Sequence, residues 1–399
     1  MLLQFIKKIF SIILTLILSF TIISCNGYDE PTTPTIAEKE DTTISVLGAG
    51  DVLMHMEQVY SGYDSKTNTY NYDNFFAYVK DYISTSDLAI CNSETTYLGN
   101  GHNFSGYPKF NSPKEILDSI KNAGFDMACS SHNHINDMGD KGIESTAKLI
   151  KEAGLDLLGV KNDVKDKNYI VKDIKGIKIG ITNYTYSTID KNGYRYINGL
   201  PLSKEMEPKI NLFSDSNIEN DINNMKSTYD NMLKDGADFT IFYIHWGNEY
   251  QLQPSAQQEK LANMLNSIGV NVIFGSHPHV VQPIRRIKND TTGNETLVCY
   301  SLGNFVSNQR FETMGNLKSE DGLMVKLFIT KDSNNKVKLT SYETEPTWVY
   351  KYVNASGKTI YNILPTNKIL ESNDIEGLSE DVFNRVKNSN KSTNEIINS

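Results

Sequence analysis

Seven histidines occur in the chain, and six of them stand at or just past the end of a short apolar run. His277 and His279 lie in VNVIFGSHPHVVQP, and His245 follows FTIFYI inside HWGNEY. Two imidazoles at i and i+2 around a proline can point into one cleft with little side-chain entropy to lose, which suits a metal ion. Upstream, FDMACSSHNHINDMG places His132, Asn133, His134 and Asp137 after a third run, GAGDVLMH carries Asp51 and His55, and NSETTYLG carries Glu94. Neutral imidazole, amide oxygen and carboxylate can ligate a borderline cation or pass a proton. Plainer readings exist: Asp51 as a turn or helix-capping aspartate, Glu94 as a solvated loop residue, Asn136 and Asp137 as turn formers. They leave the histidines unexplained. Only His102 lies away from a strand end. Several ligand-type residues on one sheet edge give the constellation of a dinuclear site, in which two cations about 3.5–4 Å apart polarise a substrate and lower the pKa of a bridging water. Histidine and asparagine beside carboxylates favour Zn, Mn or Fe over Ca.

The elements needed to position these residues are legible as a β-α-β rhythm. Residues 239–244 and the run ending at Gly275 are short and β-branched, so they read as buried strands. Between them Pro254 suits a first helical turn, Leu261, Met264, Leu265 and Ile268 recur at helical spacing, and Gly269 suits the stop. A crossover of this kind makes the flanking strands parallel, so their ligand-type residues emerge on one edge. Further strands are expected at 44–47, 88–91, 125–129, 155–160, 178–185 and 297–300. Helices are expected at 113–123, with Ser112 and Glu115 as a capping box, at 144–153 and at 218–232. Residues 323–329 and 336–342 read as antiparallel edge strands. The segment 186–221 reads as loop, either a lid carrying Arg195 or plain surface. From residue 366 onward the chain reads as a polar tail with one helix capped at Ser379.

Lys7 and Lys8 precede an apolar stretch, 9–23, that is short for the ~20 residues a membrane span needs. It ends in Ile22-Ile23-Ser24-Cys25, which resembles a bacterial lipobox with Cys25 as the lipidated residue; an uncleaved signal anchor is the alternative. Either way an extracytoplasmic domain is expected, lipid-anchored to the cell membrane in the lipobox reading. Residues 26–43, with Pro31 and Pro34, read as a flexible tether. Domain boundaries follow: signal 1–25, tether 26–43, one domain 44–350, and a polar carboxyl-terminal extension 351–399. Cys91, Cys129 and Cys299 have no metal-type spacing and read as small core residues. A net charge of −9 gives no reason to expect nucleic acid as a partner.

Other residues carry two readings. Trp246 either shapes the cleft or simply packs. Asn304, in SLGNF, either bonds substrate or a ligand, or makes a turn. Arg285 and Arg286 either bind an anion or form an exposed turn.

GDVLMH, NSET, SHNHINDMG, IHWGNEY, GSHPHVVQP and YSLGNF occur in the order seen in the capsule-synthesis CapA family, the poly-gamma-glutamate synthesis accessory proteins, and over 44–350 the chain resembles that family. The resemblance implies a relative of the calcineurin-like metallophosphoesterases: an α/β, metallophosphatase-like four-layer sandwich of two packed mixed sheets flanked by helices. It also implies metal ligands Asp51, Glu94, Asn133, His245, His277 and His279 for two divalent ions, with His134 as the acid and Asp51 in the catalytic set. His55, His132, Asp137, Trp246, Glu249 and Asn304 are left as substrate-facing or supporting residues. Three departures stand out. The phosphoesterases place a histidine two residues after the aspartate, whereas His55 lies four after Asp51; Glu94 replaces an aspartate; and His132 stands where relatives often have asparagine. The implied function is synthesis, transport or anchoring of an anionic capsule polymer such as poly-gamma-glutamate, at the membrane and beside synthase subunits. A non-catalytic polymer-binding subunit and a secreted metallophosphodiesterase are the alternatives.

Overall fold

The computed structural model describes residues 40–372 and 378–399; the signal, Cys25 and most of the expected tether lie outside them. Two large mixed sheets form the frame. The first has eight strands, in the order Thr359–Pro365, Val337–Val353, Asp321–Lys331, Thr42–Val52, Leu88–Ser93, Met127–Cys129 and Asp156–Leu158, with Asn304–Val306 pairing beside Thr42–Val52. The second has seven, in the order Leu212–Phe213, Ile177–Tyr186, Phe239–His245, Val272–Ser276, Glu295–Cys299 and Ile284–Lys288, with Ile170–Ile174 antiparallel to Ile177–Tyr186. From Thr42–Val52 to Asp156–Leu158, and from Ile177–Tyr186 to Glu295–Cys299, the strands are parallel.

The apolar runs are nearly continuous because both faces of each strand are covered. Ile44, Val46, Leu88 and Ile90 pack against Ile241, Tyr243, Val272 and Phe274 of the other sheet, and this is the central core. The alternate residues Leu47, Ala49, Ala89 and Cys91 face the helices Glu115–Ala123 and Gly139–Glu152. On the second sheet Phe242, Ile244 and Ile273 face Ile218–Lys234 and Ala256–Ile268. The result is helix, sheet, sheet, helix, the four-layer α/β order expected. Burying each such side chain contributes about 1.5–3 kcal/mol, so the strand ends that carry the site are rigidly held.

Several details differ from expectation for physical reasons. Helix Glu115–Ala123 has no side-chain cap, because the Ser112 hydroxyl bonds instead with Thr95 Oγ1 at 2.7 Å. Pro254 precedes the helix rather than entering it: Ser255 is the N-cap, its Oγ accepting from Gln258 N–H while Gln258 Oε1 accepts from Ser255 N–H. Asp321–Lys331 is interior, and Thr359–Pro365 forms the sheet edge. Residues 186–221 include a small sheet, Thr188–Ile189, Arg195–Ile197 and Leu200–Pro201. Arg195 is tied into it by Asp221 at 2.9 Å, Glu207 at 3.2 Å and Ser187 Oγ at 2.8 Å. The segment read as tail is packed: helices Thr366–Ser372 and Glu380–Ile397 bury Ile369 and Val386 against Trp348 and Leu364, and Ser379 is the N-cap of the second. Cys91, Cys129 and Cys299 are buried free thiols.

Candidate metal centre

The carboxyl ends of the parallel strands of both sheets converge. On Phe239–His245 the odd positions 239, 241 and 243 face the central core, and His245 continues that face. Asp51 reaches it by a different route. Leu47 and Ala49 face the outer core, but the register slips between Ala49 and Asp51, so Asp51 comes opposite Asn92. A bulge of this kind re-aims the side chain that follows it. Gly50 is required there, since a Cβ would lie 2.0 Å from the Gly303 carbonyl oxygen. His277 and His279 follow Val272–Ser276 with φ of 92° and 56°. Such backbone costs about 1–3 kcal/mol per residue and persists where the surroundings over-determine it, often at functional sites.

Two donor triads result, and Glu94 belongs to both. Glu94, His245 and His277 each offer a ligand atom within 4.8 Å of the other two, and so do Asp51, Glu94 and His279. Asn133 Oδ1 lies 3.0 Å from His245 Nε2, which adds an amide oxygen to the first set. Glu94 Oε1 is 3.7 Å from both His245 Nε2 and His279 Nε2. That is too long for a hydrogen bond and fits two ligands each about 2.0–2.2 Å from one ion. Glu94 Oε1 and His277 Nδ1 are buried with no hydrogen-bond partner. Burial, and then the like charges of Asp51 and Glu249, push the Glu94 carboxyl well up, while burial and neighbouring imidazoles push His245 and His277 well down. Among the described residues the ion-pair partners of Asp51 and Glu94 are all histidines. Neutral imidazoles with free lone pairs around carboxylates that lack a fixed cation make a donor set that fits divalent ions.

The remaining expected residues take different places around the triads. His134 Nδ1 is 2.8 Å from Asp137 Oδ2, which also accepts from Phe110 N–H at 2.7 Å, so the His134 ring, next in sequence to Asn133, is held in place. Asn304 supports: its Oδ1 is 3.2 Å from His279 Nδ1, and its amide donates to Ser319 O and Gln309 Oε1. His55 and His132 stay outside the triads. His55 Nδ1 accepts from Asn308 N–H, and burial followed by the neighbouring His279 takes its imidazolium down to about 4. His132 Nδ1 accepts from His134 N–H, and its Nε2 is an unpartnered buried atom. Trp246 packs on Tyr300 and donates to its carbonyl at 2.8 Å, while bordering a cavity of about 490 Å³ with Tyr186. Arg285 and Arg286 pair with Glu259 and Glu295.

Sequence reasoning passed over four residues. Asn92 Nδ2 donates to Asp51 Oδ1 at 2.9 Å and to Glu94 Oε2 at 3.2 Å, clamping both carboxylates. Ser276 Oγ, 2.9 Å from His245 Nδ1, can accept that ring proton and leave Nε2 to face Asn133. Asn183 brackets Ser131, accepting from its N–H and donating to its carbonyl, and so fixes the turn before His132. Tyr186 stacks on His245. Asn92 had a visible signal, an amide inside an apolar strand; the others depend on contacts distant in sequence.

The sequence profile described as "Bacterial capsule synthesis protein PGA_cap" matches residues 45–309. The chain belongs to this family. Its residues are 28% identical over 281 positions to the capsule biosynthesis protein CapA of Bacillus anthracis, covering 69% of this chain and 62% of that one. The PGA biosynthesis protein CapA of Bacillus subtilis (strain 168) is 26% identical over 314 positions, covering 77% and 73%. Among solved structures, the Thermus thermophilus sulfate thiohydrolase SoxB aligns with TM-score 0.37 and 13% identity, over 77% of this chain and 43% of that one. The purple acid phosphatase PPD1 of yellow lupin aligns with TM-score 0.35 and 10% identity, over 77% and 54%.

Proposed function

We propose that this PGA_cap protein works on a capsule polymer of the poly-gamma-glutamate kind at the outer face of the cell membrane, using a divalent-metal hydrolase centre. The observation that carries the reading is the pair of donor triads sharing Glu94, with the His134–Asp137 pair beside them. Asp51, Glu94 and His279 would hold one ion and Glu94, Asn133, His245 and His277 the other, supplying Lewis-acid polarisation and a water of lowered pKa. Asp137 accepts the His134 Nδ1 proton and fixes the ring, and Phe110 N–H fixes Asp137 in turn. With Nδ1–H held by Asp137, a second proton taken up at His134 Nε2 makes the imidazolium, which passes that proton to the leaving group of a phosphoester or amide and returns to the neutral ring. Lipidation at Cys25 would tether the centre to the membrane, beside the subunits of a polymer synthase.

The test is turnover of a phosphodiester and of polyglutamate by the metal-loaded protein, with and without His134→Ala. Loss of about 10²–10⁴ in rate is expected for a general acid, and unchanged turnover would rule His134 out. Metal binding with no turnover of either substrate would instead favour a polymer-binding subunit.

A further inference from the structure

We infer that Glu249 is an additional ligand of the centre, closing it on its solvent side. This rests on reading the site as a metal centre and names a donor outside the two triads above. Glu249 offers a carboxylate oxygen that lies, with ligand atoms of His277 and His279, within a third 4.8 Å group. Its two partners come one from each Glu94 triad, so Glu249 faces both ion positions. The buried His277 Nδ1, which has no hydrogen-bond partner, is a second sign of an unmet donor there.

The backbone is built to hold Glu249 in that place. Gly247 and Tyr250 flank it with φ of 84° and 63°, and Tyr250, which is not a glycine, pays strain for that turn. Tyr250 N–H donates to the Pro278 carbonyl at 2.8 Å, and Pro278 separates the two histidines. The Tyr250 ring lies 6.2 Å from that of His279, and its hydroxyl accepts from Gln309 Nε2 at 3.1 Å. Gln309 Oε1 in turn accepts from Asn304, whose Oδ1 meets His279. The two turns are therefore locked to each other, with the Glu249 carboxylate at the junction. Among the described residues no lysine or arginine pairs with Glu249.

The donor count leaves room for the assignment. Asp51, Glu94 and His279 provide three protein donors, which leaves room for a further ligand, protein carboxylate or water, in even a tetrahedral set. Glu249 is exposed, whereas every donor of the other two triads is buried. It is thus the ligand an incoming substrate oxygen can displace without unpacking the core.

The experiment is titration of the metal-free full chain with Mn²⁺ by calorimetry and with Co²⁺ by visible absorption, for wild type, Glu249→Gln and Glu249→Asp. The inference expects Glu249→Gln to weaken at least one equivalent by about tenfold or more, to alter the Co²⁺ spectrum, and to leave metal-free unfolding unchanged; Glu249→Asp should recover part of the affinity. Wild-type isotherms and spectra in Glu249→Gln would overturn it while leaving the two-triad centre standing. Failure of the wild type itself to take up either ion would sink the metal reading, and this inference with it.

Discussion

Replacing Asn92 with leucine tests how the centre is held together. Asn92 is fully buried, and its amide donates at 2.9 Å to Asp51 and 3.2 Å to Glu94. A hydrogen bond to a charged group contributes about 1.5–3 kcal/mol, and a buried carboxylate oxygen left without its donor bears the desolvation cost as well. Leucine has nearly the same size and recovers about a third of that loss through apolar burial, at about 25 cal/mol per Å². The net effect on metal-free stability is then a loss of about 2–4 kcal/mol, read by urea unfolding with chelator present. The same change frees both carboxylates to rotate, and loss of an orienting partner typically lowers metal affinity about 10–100-fold. Calorimetric titration with Mn²⁺ measures that second effect independently. A destabilised variant with wild-type affinity would refute the reasoning, because Asn92 would then serve the fold and not the donor set.

Three further outcomes are expected. Burial raises the Glu345 carboxyl to about 7, against hydrogen bonds from the backbone of Asn367 and Lys368 that lower it. Its folded pKa therefore lies above the unfolded value, and stability present at pH 4 is lost as pH rises toward 7, by on the order of 3 kcal/mol; Glu345→Gln should flatten that decline, and equal wild-type and variant stability at pH 8 would contradict it. Gly275→Ala would place a Cβ 1.9 Å from the Tyr300 carbonyl oxygen, so the strand must shift; thermal unfolding should show a loss of about 1–3 kcal/mol or more, together with weakened metal binding through His277. Asp221→Asn leaves the Arg195 guanidinium, mostly buried, with a weaker partner, and destabilisation of about 3 kcal/mol is expected, visible first as faster proteolysis within residues 186–221.

Much of the site was legible because strands end where their apolar runs end. In Phe239–His245 the alternation that buries Ile241 and Tyr243 carries directly to His245, and the crossover helix to Ser276 fixes the strands as parallel. Asp51 was found by type and place, yet its direction could not be read. Alternation from Leu47 and Ala49 points it at the outer core, and only the bulge at Gly50, forced by the close approach of Gly303, turns it inward. The Ser112 capping box failed in the same way, since a partner 17 residues away, Thr95, took the hydroxyl. The last helix hid its packing because Val386 stands almost alone among polar neighbours, and its partner Trp348 lies far back in the chain. Local pattern located elements and candidate ligands; contacts distant in sequence set register, tautomer and support.

The most direct test of the central claim is metal content by mass spectrometry of protein purified without chelators, beside a His277→Ala, His279→Ala double variant. Each histidine belongs to a different Glu94 triad, so near two transition-metal equivalents in the wild type, lost in the double variant, is the result expected. A wild-type protein without tightly held metal, or a double variant that keeps its full complement, would contradict the account.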